Sequence, residues 1–201
     1  KLYLKASDIF TEIYDYNKPA VVTDKCVTDF IEKLSVKDMA EIVVGIGMFG
    51  GEKRFDMPGS VGNTTSKFWD KGLANVTLCD GPAGLRISQR AALTSKGNTK
   101  MIEFPLSAFR IIPKFIQKAI LADPKKSDIV YQYTTAFPVS AALAQTFNTD
   151  IVTEVGKAIY KEMKEYGCVY WLAPALNIHR NPLCGRNFEY YSEDPFLSGA
   201  M

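Results

Sequence analysis

The sequence contains a single histidine, His179, among its 201 residues, and this scarcity limits the chemistry available to it. Serine and cysteine nucleophiles usually work with a histidine base, so any such mechanism would have to pass through His179. The G-x-S-x-G turn that presents a nucleophilic serine is also missing from the sequence. Nucleophilic catalysis of this kind is therefore not indicated.

Cysteines are few and widely separated. Cys26, Cys79, Cys168 and Cys184 form no C-x-x-C pair, which argues against a zinc site and against a disulfide framework. We expect free, mostly buried thiols in a reducing compartment, and hence a cytoplasmic location. The sequence predicts no metal and no cofactor.

Neither sign of charge is in surplus, and long apolar runs are absent. With 24 basic and 22 acidic residues the net charge is only +2, so nucleic acids and anionic membranes are not expected partners. The apolar runs fall well short of the ~20 residues of a membrane span. A hydrophobic content of 47% nevertheless allows a substantial core.

The first 50 residues predict helices. Residues 1–33 read as a lead-in of two short helices joined by Asn17, Lys18 and Pro19. Ser35 and Asp38 have the spacing of a capping box, which predicts a helix over residues 36–44. The following G-x-G-x-x-G at residues 45–50 matches a dinucleotide-binding pattern, but that pattern requires a preceding strand, so we favour a helix end and a loop. A nucleotide-binding oxidoreductase would rest on this motif alone, and it is the weakest functional hypothesis for this sequence.

A short β-prone run at residues 76–79 ends directly at Asp80, which opens the turn DGPAGLR. An α/β fold places ligand-binding groups at this point, just past the end of a buried strand. An aspartate also forms turns by bonding its own backbone. Both roles are open for Asp80.

The rest of the chain predicts an insertion and then a βαβ unit. Residues 91–133 look like an insertion with one amphipathic helix after Pro113. Residues 134–138 read as a strand, 141–147 as a short helix and 149–166 as a long helix that Asn148 and Gly167 cap. Residues 168–173 then predict a buried strand, with chemistry expected at the carboxyl ends of the strands.

Residues 177–195 form a long exit loop, NIHRNPLCGRNFEYYSEDP, rich in arginine, carboxylates and aromatic rings. A sugar ring packs its C–H face on aromatic side chains, and its hydroxyls form hydrogen bonds with charged groups. The composition of the loop therefore suits sugar binding. The alternative is a salt-bridged loop with a purely structural role.

Three blocks in the sequence resemble the N-terminal catalytic barrel of glycoside hydrolase family 3 β-glucosidases. They are DGPAGLR at residues 80–86, TAFPVSAALAQTFN at 135–148 and LAPALNIHRNPLCGRNFEYYSEDPFLSG at 172–199. The resemblance implies an α/β fold, a partial (β/α)8 (TIM-type) barrel with its first three or so βα units, and a retaining, exo-acting hydrolysis of terminal β-linked glucose. It also implies that Asp80, Arg86 and Arg186 bind the terminal sugar, with Arg86 the weakest of the three assignments.

The same resemblance implies that the catalytic residues lie elsewhere. The family's Lys-His pair, aspartate nucleophile and glutamate acid have no counterpart within residues 1–201, and a complete barrel takes ~250 residues. We therefore expect one part of a larger enzyme: residues 1–33 a lead-in or linker from a preceding domain, and residues 34–201 the N-terminal part of the barrel. Its partners would be a β-glucoside or oligosaccharide and the remaining domains. The alternative is a catalytically silent sugar-binding or scaffold protein of the same fold.

Overall fold

Helices and strands both occur in the computed structural model, which describes residues 2–3, 23–47, 57–63, 65–93, 99–103 and 111–201. The helices are α1 (Asp24–Ile31), α2 (Val36–Val44), α3 (Lys114–Ile120), α4 (Ser140–Ala144), α5 (Thr149–Tyr166) and α6 (Pro195–Ala200), with 3₁₀ helices at Ser66–Lys71 and Asn187–Glu189. The strands are β1 (Leu2–Tyr3), β2 (Ile46–Gly47), β3 (Gly62–Asn63), β4 (Thr77–Cys79), β5 (Arg90–Leu93), β6 (Thr99–Met101), β7 (Asp128–Tyr131) and β8 (Tyr170–Trp171). The predicted α/β class is confirmed.

Two four-stranded sheets organise these elements. One has the order β2-β3-β4-β8, and in it β4 and β8 run parallel, with Leu78 opposite Tyr170 and Cys79 opposite Trp171. The other has the order β1-β7-β5-β6, where β1 and β7 are parallel and the remaining pairs antiparallel. The parallel β4 and β8 bring the start of the 80–86 turn and the start of the exit loop to the same end of one sheet.

The long helix α5 lies between β4 and β8 in sequence and follows its local signals closely. The Asn148 side chain accepts hydrogen bonds from the Asp150 and Ile151 amides at 2.9 and 3.3 Å. Gly167 ends the helix in the left-handed conformation, with φ +70°. Caps of these types satisfy backbone groups that a helix end otherwise leaves unpaired, so the predicted bounds 149–166 are confirmed.

The core lies where α5 packs against β4, β8 and the segment after β4. Its buried members are Met57, Cys79, Leu85, Ile159, Tyr166 and Cys168. A second cluster of Leu143, Ala144 and Tyr191 connects α4 and the exit loop to the same helix through Val152 and Val155. The Tyr166 hydroxyl also donates to the Tyr133 carbonyl oxygen at 2.6 Å. The two candidate loops thus share one packed support.

The prediction of a strand at residues 134–138 is wrong, because these residues form no ladder. The Thr134 hydroxyl instead donates to the Leu85 carbonyl oxygen at 2.8 Å, and the Phe137 amide donates to the Ala83 carbonyl oxygen at 2.8 Å. The segment is extended, but it pairs with a turn and not with a strand.

The prediction of an irregular insertion at residues 91–133 is also incomplete. This stretch holds α3, which begins after Pro113 as predicted, and it supplies β6, β7 and most of β5 to one sheet. Leu2 and Tyr3 pair with Val130 and Tyr131, so the lead-in contributes a strand to the same sheet. The domain boundaries at 33 and at 91–133 stay predictions.

The structure also tests the predictions for the lead-in, for the strand before the exit loop and for the glycine motif. The second lead-in helix is confirmed as α1, whereas the first, and the join at residues 17–19, lie outside the described residues. The strand predicted at residues 168–173 is shorter, at Tyr170–Trp171. The helix α2 ends at Gly45 and a strand follows it, the reverse of the order that dinucleotide binding requires. Gly50, the last glycine of the motif, lies outside the described part of the chain.

The burial of the cysteines agrees only in part with the prediction of mostly buried thiols. All four cysteines are free; Cys79 and Cys168 are buried, while Cys26 and Cys184 are exposed, so only half of the thiols are buried as predicted. Within the described residues no helix is both long and apolar enough to cross a membrane.

Asp38 links α2 to the 3₁₀ helix at Ser66–Lys71. Its carboxylate accepts from the Ser35 amide at 2.9 Å, and the Lys71 ammonium lies 2.6 Å away. The Lys71 hydrogen bond, followed by those from Ser35, lowers the pKa of Asp38 from 3.8 to about 2. A carboxyl with a lowered pKa stabilises the fold above its ordinary pKa and loses that contribution as the pH falls through the lower one.

We therefore expect Asp38→Asn to remove part of the acid sensitivity of the fold between pH 3.8 and about 2. Urea unfolding at a series of pH values measures this. The variant should be less stable than the wild type above that window and should approach the wild type within it. Lys71→Gln should weaken the same effect, because Lys71 is its largest cause. A constant difference at every pH would contradict the prediction.

Candidate functional site

The turn at residues 80–86 begins directly after β4 and closes tightly on itself. The Arg86 amide donates to the Asp80 carbonyl oxygen at 2.8 Å, and the Gly84 amide donates to the Gly81 carbonyl oxygen at 3.2 Å. The Asp80 carboxylate accepts from the Gly81 amide at 2.9 Å and forms an ion pair with the Arg86 guanidinium. Asp80 therefore does bond its own backbone, and its second oxygen meets a cation.

The backbone carbonyls of this turn are held by the surrounding structure. The Trp171 indole N–H donates to the Gly81 carbonyl oxygen at 2.8 Å, in addition to the bonds that Thr134 and Phe137 make to Leu85 and Ala83. Three hydrogen bonds from two separate parts of the chain, residues 134–137 and Trp171, thus fix the turn. Its side chains are positioned by a rigid backbone, as binding groups need to be.

The exit loop folds back on itself through residues that sequence patterns left unassigned. His179 donates its backbone N–H to the Ser192 carbonyl oxygen at 3.0 Å, and its Nε2 lies 2.9 Å from the Tyr190 carbonyl oxygen. Tyr190 and Tyr191 are buried. The only histidine of the sequence therefore ties the loop together, which is a structural role.

Arg186 and Glu189 face each other across the 3₁₀ helix at Asn187–Glu189. In such a turn, side chains three residues apart lie above one another. The Arg186 Nε–H donates to Glu189 Oε1. The Glu189 side chain is 9% exposed and that of Arg186 is 69% exposed, so the acid is in the wall and the guanidinium reaches out.

The turn and the exit loop border a single cavity of about 540 Å³, which is within the usual size range of small-molecule sites. The charged side chains in its wall are Asp80, Arg86, Arg186 and Glu189. The uncharged lining residues are Gly81, Pro82, Ala83, Gly84, Val139 and Phe188. The structure thus brings all three predicted site residues, Asp80, Arg86 and Arg186, to one cavity.

The charges in this wall balance. Two guanidinium groups oppose two carboxylates, so the formal charge of the cavity is zero. The pKa of Arg186 is raised above its ordinary value, first by the hydrogen bond to Glu189 and then by electrostatic attraction to Glu189, Tyr190 and Asp80. The attraction to Asp80 places the two predicted residues within electrostatic reach of each other.

Seven of the ten lining residues, Glu189 and Val139 among them, were not assigned to the site from the sequence. Glu189 and Phe188 were expected only as a carboxylate and an aromatic ring of the exit loop, and Val139 had no predicted role. The i,i+3 spacing of Arg186 and Glu189 was the signal that pairs them, but it has meaning only inside a helical turn. Among the described residues no group of three or more His, Cys, Asp or Glu side chains is arranged to hold a metal ion.

Residues 122–201 match the model of the glycosyl hydrolase family 3 N-terminal domain. The resemblance to glycoside hydrolase family 3 is confirmed over this part of the chain. The match includes Arg186 and the whole exit loop, whereas Asp80 and Arg86 precede it.

Relatives extend the likeness over most of the chain. β-Glucosidase A from Butyrivibrio fibrisolvens is 37% identical over 171 residues, which is 85% of this chain and 15% of that protein. An exo-α-(1→6)-L-arabinopyranosidase from Bifidobacterium longum is 32% identical over 122 residues, which is 57% of this chain and 16% of that protein. The chain thus spans only a small part of the length of these relatives.

A solved structure is similar in fold as well as in sequence. β-Glucosidase 3B from Thermotoga neapolitana, in complex with glucose, superposes with a TM-score of 0.61 and 36% identity. The match covers 87% of this chain and 20% of that one.

Proposed function

We propose that this chain is part of a retaining, exo-acting β-glucosidase and that it supplies the groups that bind the terminal glucose. Asp80 and Arg186 carry this proposal, because two segments far apart in the sequence line one cavity. Arg86 completes the proposed set of sugar-binding residues. The nucleophile and the acid/base, the two groups that such an enzyme needs, belong to other parts of the enzyme.

The chemistry of the cavity suits a neutral polyol. Guanidinium groups donate hydrogen bonds and carboxylates accept them, so each sugar hydroxyl can find a partner of either kind. Phe188 is 56% exposed and adds an aromatic surface for the C–H face of the ring. The names of the relatives, among them β-glucosidases and a complex with glucose, support glucose as the sugar.

The proposed architecture is the beginning of a (β/α)8-type barrel over residues 34–201, with residues 1–33 a link from another domain and residues 91–133 an insertion. The parallel strands β4 and β8, separated in sequence by α5, support the barrel because they have the order of a βαβ unit. The Asp80 and exit-loop residues would then lie at the carboxyl ends of barrel strands, where such folds bind substrate.

The test is turnover of an aryl β-glucoside by the full-length protein, followed by NMR of the first product. We expect hydrolysis with β-glucose as the initial product, since a double displacement retains the configuration. The purified 201-residue chain should give no turnover, because it lacks the nucleophile.

Three outcomes would change the proposal. α-Glucose as the initial product would exclude the retaining mechanism. Turnover by the pure 201-residue chain would overturn the assignment of catalytic groups to other parts of the enzyme. Glucose binding without turnover by the full-length protein would favour the catalytically silent sugar-binding protein.

A further inference from the structure

Glu189 is a buried acid in the wall of the candidate sugar site. The residue is 7% exposed, although its partner Arg186 is largely in solvent. A buried carboxylate is costly unless a charged or hydrogen-bonding partner compensates for it. We therefore ask what Glu189 does for the site in addition to stabilising the loop.

The contact between the two residues leaves most of the guanidinium available. Glu189 accepts from Nε of Arg186, so the N–H groups on the two Nη atoms stay free for other partners. The Glu189 amide also donates to the Arg186 carbonyl oxygen at 3.1 Å, which closes the turn that carries both. Glu189 thus restrains Arg186 at Nε, and both residues line the cavity.

The same acid sets the charge of the site. Asp80 pairs with Arg86 and Glu189 pairs with Arg186, so removing the charge of Glu189 alone would leave the cavity with a net positive charge. An unbalanced guanidinium attracts carboxylates and phosphates in preference to neutral hydroxyls.

Building on the proposed function, we propose that Glu189 is a positioning residue that orients Arg186 towards the terminal sugar and cancels its charge, so that the site prefers a neutral sugar over an anionic one. This role differs from that of an ordinary loop salt bridge. A loop salt bridge would affect folding, but it would not change which sugar is bound.

Glu189→Gln in the full-length protein tests the proposal, because glutamine keeps the shape and loses the charge. Glucose and glucuronate, each titrated as a competitive inhibitor at neutral pH, report the preference. We expect glucose to bind roughly tenfold more weakly and the glucuronate-to-glucose affinity ratio to rise by about tenfold or more, in line with the strength of charged hydrogen bonds.

Glu193→Gln is the matched control, since it removes the same charge from an exposed position in the same loop that is not among the cavity-lining residues. It should leave the affinity ratio unchanged. An unchanged ratio in Glu189→Gln, or an equal loss of both ligands accompanied by a lower melting temperature, would overturn the positioning role.

A second measurement separates this proposal from the proposed function. The Nε–H of Arg186 can be followed by ¹⁵N NMR in the 201-residue chain without any sugar. We expect its exchange with solvent to be about tenfold faster in Glu189→Gln than in the wild type, because a neutral amide oxygen replaces the charged acceptor and holds the Nε–H less strongly. Equal exchange rates would exclude the restraint of Arg186, whatever the outcome for sugar binding. If the wild-type protein binds no glucose, the proposed function fails and the claim of sugar selection falls with it.

Discussion

Asp80→Ala in the full-length protein should weaken glucose binding about a hundredfold, because it removes charged hydrogen bonds, each worth roughly 1.5–3 kcal/mol, from the sugar site. The carboxylate lines the cavity and its side chain is only 29% exposed. The substitution also leaves the Arg86 guanidinium without its acid, which adds to the loss. Calorimetric titration with glucose or gluconolactone measures the effect.

Two further variants separate charge from turn geometry. Asp80→Asn keeps an oxygen for the Gly81 amide and removes the charge, so it should keep the melting temperature and still lose most of the affinity. Asp123→Asn is the matched control, because Asp123 makes a similar bond to the Lys125 amide at 3.0 Å and lies outside the cavity. Unchanged glucose affinity in Asp80→Ala would remove Asp80 from the site.

Features that depend on neighbouring residues could be predicted from the sequence. The caps Ser35 and Asn148 fix the starts of α2 and α5, and the left-handed Gly167 fixes the end of α5. Each of these signals acts within one helical turn, so the surrounding fold does not alter it. The predicted bounds of both helices therefore agree with the structure.

Strands were predicted less well because they depend on distant partners. Ile129 and Val130 pair with Ala92 and Ala91, some 40 residues earlier, and no local pattern in these short segments announces that pairing. Thr134 and Phe137 carry β-prone side chains, yet their polar groups bond to the 80–86 turn. Tertiary contacts decided both cases.

The residues of the candidate site also fall into two groups, those predictable from the sequence and those that depend on the fold. Asp80 was predictable because it follows a β-prone run, and Arg86 and Arg186 because family-like blocks contain them. Glu189 and the Trp171 indole were not, because one depends on a 3₁₀ turn inside a long loop and the other on the parallel pairing of β4 with β8. The support of the site therefore required the structure.

The conformation of Gly81 gives the second large prediction. Its φ is +124°, a region that residues with a side chain rarely adopt. A Cβ at this position would overlap the Gly84 carbonyl oxygen and lie 2.8 Å from the Arg86 amide nitrogen. Neither atom can move easily, because both belong to the backbone of a turn that the Trp171 indole also holds.

We therefore expect Gly81→Ala to lower the free energy of unfolding by about 2–4 kcal/mol, as strain at a special backbone conformation does. Gly156→Ala is the matched control: Gly156 lies within α5 with open space around its Cβ position, so alanine should raise the stability by about 0.5–1 kcal/mol. Urea unfolding measures both changes in the free energy of unfolding, which should have opposite signs. Equal stability of Gly81→Ala and the wild type would mean that the turn can relax, and Asp80 and Arg86 would then lose the rigid backbone on which their positions in the cavity depend.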